Sequence, residues 1–138
     1  MHTKDKGAIA EACVIADLTK QGHKVALPLG ENLPFDLIAI RPNYSLVRLQ
    51  VKYRSASSRG AVDIKLASTW RNSSITRVID YDLTSLDCFA IYCPELDRVA
   101  YVPVGEIITN KNFSLRIKPA KNGQRKHVRL FDEYSALE

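Results

Sequence analysis

The stretch FDLIAIRPNYSLVRLQVKYR, residues 35–54, decides the fold. Its first part, Phe35 to Ile40, is an apolar run broken only by Asp36, which predicts a strand covered on both faces. Pro42 and Asn43 punctuate a turn. The pattern then alternates. Val47, Leu49, Val51 and Tyr53 fall on one face of a strand, and Arg48, Gln50, Lys52 and Arg54 fall on the other. Two such strands across a short turn read as a hairpin. Pairing them sets a carboxylate (Asp36), an amide (Gln50) and an ammonium (Lys52) side by side.

Upstream, residues 4–23 read as a helix ending near Gly22, with Ile9, Cys13 and Ala16 on one face and Ala12, Ile15 and Leu18 close by. KVALPL (24–29) is a short strand and GENLP (30–34) a loop. Downstream, SASSRGA (55–61) is a polar loop and VDIKLA (62–67) a further strand, while residues 68–85 show no clear period. LDCFAIYC (86–93) is an apolar strand, PELD (94–97) a turn and RVAYVPV (98–104) the returning strand. VGEIITNK (104–111) reads as one or two helical turns and FSLRIKP (113–119) as a last strand. A basic loop, AKNGQRKH (120–127), precedes a terminal helix in DEYSALE (132–138). The order predicts one α/β domain over residues 1–138, a mixed β-sheet flanked by helices.

The 138 residues suffice for a genuine core, and 46% apolar with 25% charged residues is ordinary for globular proteins. No run approaches the roughly 20 apolar residues of a membrane span, and the first residues, MHTKDKGAIAEA, lack the apolar core of a signal peptide. The expectation is a cytoplasmic protein with no membrane partner. Cys13, Cys88 and Cys93 form no CxxC pair, and an odd count argues for reduced thiols in the core. His2, His23 and His127 have no zinc spacing with them, and His23 reads as a loop residue.

The net charge of +5 is unevenly spread. Residues 41–77 carry +7, residues 116–129 carry +6, and the remainder carries −8. Two basic segments on an otherwise acidic chain point to a polyanion partner; solvated loops are the plainer reading. Arg41, Arg48, Arg54, Arg59, Arg71, Arg77, Lys121, Arg125 and Lys126 form the candidate DNA-binding set. Tyr44, Tyr53, Trp70 and Tyr81 can stack on bases, although packing explains each of them as well.

Phosphodiester hydrolysis uses what the hairpin offers. Oxygen donors hold Mg²⁺ octahedrally at about 2.0–2.1 Å, the ion polarises phosphate, and a nearby ammonium stabilises developing negative charge. Burying Asp36 without a partner would cost several kcal/mol. The rival reading is a structural Asp36–Lys52 salt bridge with Gln50 on the surface, and hairpin geometry alone does not exclude it.

Asp36, thirteen intervening residues and then QVK resembles the signature of the PD-(D/E)XK nucleases, which have the restriction-endonuclease-like fold. KGAIAE resembles the helix that supplies a glutamate in that superfamily, here Glu11. KGAIAEA, PFDLIAI, RLQVKYR and FAIYCPELDRVAYVPVGEI together resemble the bacterial group I intron-encoded homing endonucleases of this fold. The resemblance implies a metal-dependent, site-specific endonuclease acting on double-stranded DNA as a homotetramer, with Mg²⁺ as cofactor and Mn²⁺ able to substitute. It implies Asp36, Gln50, Glu11 and the Val51 carbonyl as metal ligands, and Lys52 as the group that orients the nucleophile. The catalytic set is Glu11, Asp36, Gln50 and Lys52.

Two departures stand out. Phe35 occupies the motif's proline position, with Pro34 one place earlier, and Gln50 replaces the second acid with an amide that still offers an oxygen. Two alternatives stay open: a Holliday-junction resolvase of the same fold, and a DNA-binding module that has lost its activity.

Overall fold

The computed structural model describes residues 1–65, 67–71, 76–80, 83–107, 112–118 and 128–138, with the side chains of 67–71, 76–80 and 112 excepted. A long helix, α1 (Thr3–Lys20), opens the chain, capped at its start by His2, whose ring accepts from the Lys4 N–H. Five strands form the main sheet: β1 (Lys24–Ala26), β2 (Leu37–Ile40), β3 (Leu46–Tyr53), β7 (Cys88–Cys93) and β8 (Arg98–Pro103), in that spatial order. Between β3 and β7 the chain makes β4 (Ala61–Lys65), β5 (Ala67–Arg71) and β6 (Thr76–Asp80). β9 (Asn112–Arg116) follows β8. β4 and β9 make a separate antiparallel ribbon, and β5 and β6 make another. The sheet is mixed, because β3 and β7 run parallel while its other neighbours are antiparallel. This is the α/β architecture of the restriction-endonuclease-like fold.

The core has two halves, one on each face of the sheet. Ala10, Val14 and Leu18 of α1 pack on Leu37, Ala39, Val47, Leu49, Cys88, Ala90, Tyr92, Val99 and Tyr101. Burying side chains such as Val14 and Leu18 contributes about 1.5–3 kcal/mol each, which is what holds α1 on the sheet. On the other face, Phe89, Ile91, Cys93, Ala100 and Val102 meet Val62, Ile64, Phe113 and Leu115 of the β4–β9 ribbon, together with Leu86, Ile107 and Phe131. All six residues of β7 are therefore buried, alternating between the two halves.

Several expectations change. The buried stripe of α1 is Ala10–Val14–Leu18, while Ile9, Ala12 and Ala16 are exposed. β2 is covered on one face only: Leu37 and Ala39 are buried, Ile38 and Ile40 half-buried, and the strand covered on both faces is β7. His23 is buried between α1 and β1, with its Nδ1 unpartnered. The helical turns expected in 104–111 and 132–138 are single 3-10 turns at Val104–Glu106 and Phe131–Tyr134. Residues 68–85, which lacked a period, contain the β5–β6 hairpin. Among the described residues no helix is long and apolar enough to cross a membrane, and the three cysteines are free, Cys88 and Cys93 buried.

Polar clasps fix α1 at its far end. The Tyr101 hydroxyl donates to Asp17 at 2.6 Å, Gln21 donates to the same carboxylate at 2.8 Å, and the Leu137 N–H donates to Gln21 at 2.9 Å.

Candidate active site

β2 is shorter than β3, and the site lies where it falls short. Their register runs from Ile40 opposite Leu46 to Leu37 opposite Leu49. One residue further, the Asp36 N–H still donates to the Leu49 carbonyl at 2.8 Å. The register ends at Leu37, and Asp36 stays bonded to β3 beside Gln50. Beyond this point β2 no longer covers β3. The Asp36 carboxylate takes the place of a strand there, accepting from the Val51 N–H at 2.7 Å.

Lys52 follows on the same face as Gln50. Its neighbour in β7 is Ile91, and the neighbour of Gln50 is Phe89, both in the second core. Packing along that wall leaves Lys52 only 8% exposed, with the apolar stem covered and the ammonium at the strand's end. Phe35, the departure from the motif's proline, packs against this second core. It anchors the chain just before Asp36, a role that no local pattern assigns to it.

Glu11 comes from the opposite face, one residue after the buried Ala10, and is half-buried. Burial raises its pKa, and the nearby Asp36 carboxylate raises it further. The Asp36 pKa is also raised, chiefly by burial, against the opposing pull of the Val51 N–H and the Lys52 charge. Two carboxylates that both resist ionisation, an amide and a lysine thus meet at one strand edge. Among the described residues no group of three or more His, Cys, Asp or Glu side chains could hold a metal, so a cation here would need neutral oxygens as well. The donor set fits one. Gln50 supplies an amide oxygen. The Val51 carbonyl points to the β2 side, because Val51 N–H does and the N–H and C=O of one strand residue point to the same side. All-oxygen donors with one or two carboxylates are the preference of Mg²⁺.

The candidate DNA-binding residues divide. Arg41 bonds the Glu138 carbonyl and Ser45. Arg48 pairs with Asp87 at 3.1 Å. Both lie towards the sheet end opposite Lys52, held in intramolecular contacts. Arg54 lies just past Lys52, its guanidinium donating to the Tyr53 carbonyl at 2.8 Å. Arg59 lines an open groove on the β4–β9 ribbon with Arg116 and Arg129. The side chains of Arg71, Arg77 and Trp70, and all of Tyr81, Lys121, Arg125 and Lys126, lie outside the described residues. Tyr44 is exposed at the tip of the β2–β3 turn, and Tyr53 packs on Tyr92 with ring centres 5.8 Å apart.

The model of the PD-(D/E)XK endonuclease family matches residues 1–137. Among solved structures the chain is similar to a bacterial homing endonuclease, I-Ssp6803I. The two share 26% sequence identity, over 91% of this chain and 84% of that one, with a TM-score of 0.76. It also shares a fold with Hjc, a Holliday junction resolvase from the archaeal hyperthermophile Archaeoglobus fulgidus, at 17% identity over 80% of this chain and 84% of that one, TM-score 0.53. Among curated proteins, none matches.

Proposed function

The chain belongs to the PD-(D/E)XK endonuclease family, and from that premise we propose that it is a Mg²⁺-dependent, site-specific endonuclease that cuts double-stranded DNA as an intron-homing enzyme. One observation carries the reading: Asp36, Gln50 and Lys52 converge where β2 leaves β3, with Glu11 reaching the same edge from α1. The likeness to a bacterial homing endonuclease over most of both chains supports the homing assignment.

The residues divide the work. Asp36, Gln50, Glu11 and the Val51 carbonyl would hold a divalent cation, which supplies Lewis acidity towards the phosphate. The Val51 N–H fixes the Asp36 carboxylate, so its geometry precedes substrate binding. Glu11, whose pKa burial raises, acts from α1 on that cation or on the attacking water. The Lys52 ammonium stabilises charge that grows on the phosphoryl oxygens as one P–O bond forms and another breaks. The salt-bridge alternative leaves Gln50 and Glu11 without a role.

A site of this kind on so small a chain reads little DNA, because single modules bury only about 600–1,000 Å² of protein surface. Cutting two strands also takes two centres, or one used twice. A symmetric assembly, a homotetramer in this reading, supplies both. In this reading Arg54 and Arg59 contact DNA, together with Arg71, Arg77, Lys121, Arg125 and Lys126 of the basic segments.

The test pairs two substrates, each with Mg²⁺ and with EDTA: a duplex carrying the uninterrupted sequence of the proposed intron site, and a synthetic four-way junction. Metal-dependent cutting at one place in the duplex is the expected result. Cutting of the junction without sequence preference would make the protein a resolvase, the reading that the fold shared with Hjc keeps open. Binding without cutting in either Mg²⁺ or Mn²⁺ would make it a DNA-binding module.

A further inference from the structure

A cleft of about 420 Å³ opens between the start of α1 and the end of β3, lined by Thr3, Lys6 and Gly7 on one side and by Val51 to Ser55 on the other. Three of its lining residues are cations, Lys6, Lys52 and Arg54, and none is an acid. Two of the cations are held in place: the Lys6 ammonium sits 5.7 Å from the centre of the Tyr53 ring, and Arg54 is tied to the Tyr53 carbonyl. Tyr53 itself is braced by Tyr92.

Gly7 adds an independent observation. It lies within α1, where glycine is the least favourable residue after proline. Its φ is not in the left-handed region, and a methyl group built on it would meet nothing within 4 Å. Neither backbone conformation nor packing among the described residues calls for glycine there. A glycine that the described contacts do not need, on the wall of a cleft whose charged lining residues are all cations, fits the close approach of a ligand to the helix backbone.

We propose that this cleft is a subsite for one backbone phosphate of the DNA, adjacent to the phosphate that is cut, with Lys6 as its outer cation and Gly7 as the surface against which the phosphate lies. The inference rests on the endonuclease reading above. The adjacency follows from Lys52, which lines the cleft and also serves the scissile phosphate, since successive phosphates of a strand advance only about 3.4 Å along the axis.

Duplexes carrying a single uncharged methylphosphonate at each position around the cut, titrated in Ca²⁺ against wild type, Gly7→Ala, Lys6→Ala and Lys6→Arg, test it. One flanking methylphosphonate should weaken wild-type binding about tenfold, the scale of a lost hydrogen bond to a charged group. The same lesion should cost Lys6→Ala and Gly7→Ala little more. The plot of log K against log salt should flatten by about 0.9 for Lys6→Ala, one phosphate's worth, and Lys6→Arg should restore it. Gly7→Ala keeps the comparison clean, because it favours the helix and should fold at least as well as wild type. Inorganic phosphate at millimolar levels should compete poorly, which separates a DNA phosphate from the free anion. Losses that simply add at every lesion position, or Gly7→Ala binding like wild type, would overturn the subsite while leaving the nuclease standing. A wild-type protein that neither binds nor cuts DNA would overturn both.

Discussion

The Asp36 carboxylate accepts a hydrogen bond from the Val51 N–H, 2.7 Å away. A side chain thereby does the work of a missing strand, and it fixes an acid between Gln50 and Lys52. Burial still raises the Asp36 pKa, against the pull of the Val51 N–H and the Lys52 charge.

Asp36→Asn should therefore separate stability from function. Asp36 and Glu11 both have pKa values raised on folding. Their contribution to stability is present below the ordinary carboxylate range of about 3.9–4.3 and is lost as pH rises through the raised values. At neutral pH the ionised pair costs stability, and an amide at 36 removes part of that cost while still accepting from Val51. Melting in EDTA should show a higher Tm than wild type at pH 7, the gap closing towards pH 4. Cleavage should fall by at least about 10²-fold. A lower Tm at pH 7 would show that the Asp36 charge is a structural asset.

Lys52→Ala distinguishes catalysis from a structural ion pair. Removing one electrostatic interaction made in the transition state costs about 10²–10³-fold in rate, with DNA binding in Ca²⁺ nearly intact. A structural pair predicts instead a stability loss of roughly 3–5 kcal/mol and no specific defect in the chemical step. A melting curve, a binding titration and a cleavage time course on this variant separate the two.

Gln50→Glu adds a charge to the donor set. Metal affinity, followed by calorimetry without DNA, should rise, and the rise should fade in acid as protons compete for three clustered carboxylates. An affinity equal to wild type would remove Gln50 from the ligands.

Arg48 and Asp87 make an exposed pair, so its worth is small. The Arg48 guanidinium holds the Asp87 carboxyl below its usual range. That stability is present above about pH 3.9 and is lost as pH falls through the lower folded value. Arg48→Ala should lower Tm slightly at pH 7 and not at pH 2, and should leave the salt dependence of DNA binding unchanged. A flatter salt slope would return Arg48 to the DNA interface.

Lys121, Arg125 and Lys126 carry a prediction from charge alone. Replacing all three with Ala should weaken binding to every duplex and flatten the salt slope by up to about 0.9 for each phosphate that is no longer neutralised. An unchanged slope would exclude this segment.

The placement of the candidate residues on β2 and β3 was legible in the sequence, for a definite reason. Strand side chains repeat every two residues, so Gln50 and Lys52 had to share a face, and the turn around Pro42 and Asn43 brought Asp36 next to that strand. α1 was harder to read. Ile9, Cys13 and Ala16 made as good a stripe as Ala10, Val14 and Leu18, and only docking on the sheet separates them. The closeness of Glu11 to Asp36 depends on that docking, so local pattern could not supply it; the resemblance did. Lys6, the first residue of KGAIAE, and Phe35, at the motif's proline position, had no role assigned by pattern, and their contacts follow from tertiary packing. The partners of Arg41 and Arg48, Glu138 and Asp87, are remote in sequence, so local pattern could not show those contacts.

The parallel pairing of β3 with β7 bears on the order in which the protein becomes active. Lys52 lies beside Ile91, and the chain between them makes β4, β5 and β6 before returning. Closing so long a crossover is entropically costly, and non-local parallel pairing forms slowly. On a ribosome, the β2–β3 hairpin can form while β7 is still unsynthesised, and at that stage Gln50 and Lys52 have no wall of Phe89 and Ile91 to lie against. A nascent or truncated chain ending before Cys88 holds every member of the proposed catalytic set and still lacks the surface that aims them. Nuclease competence thus arrives late, with the closing of the sheet.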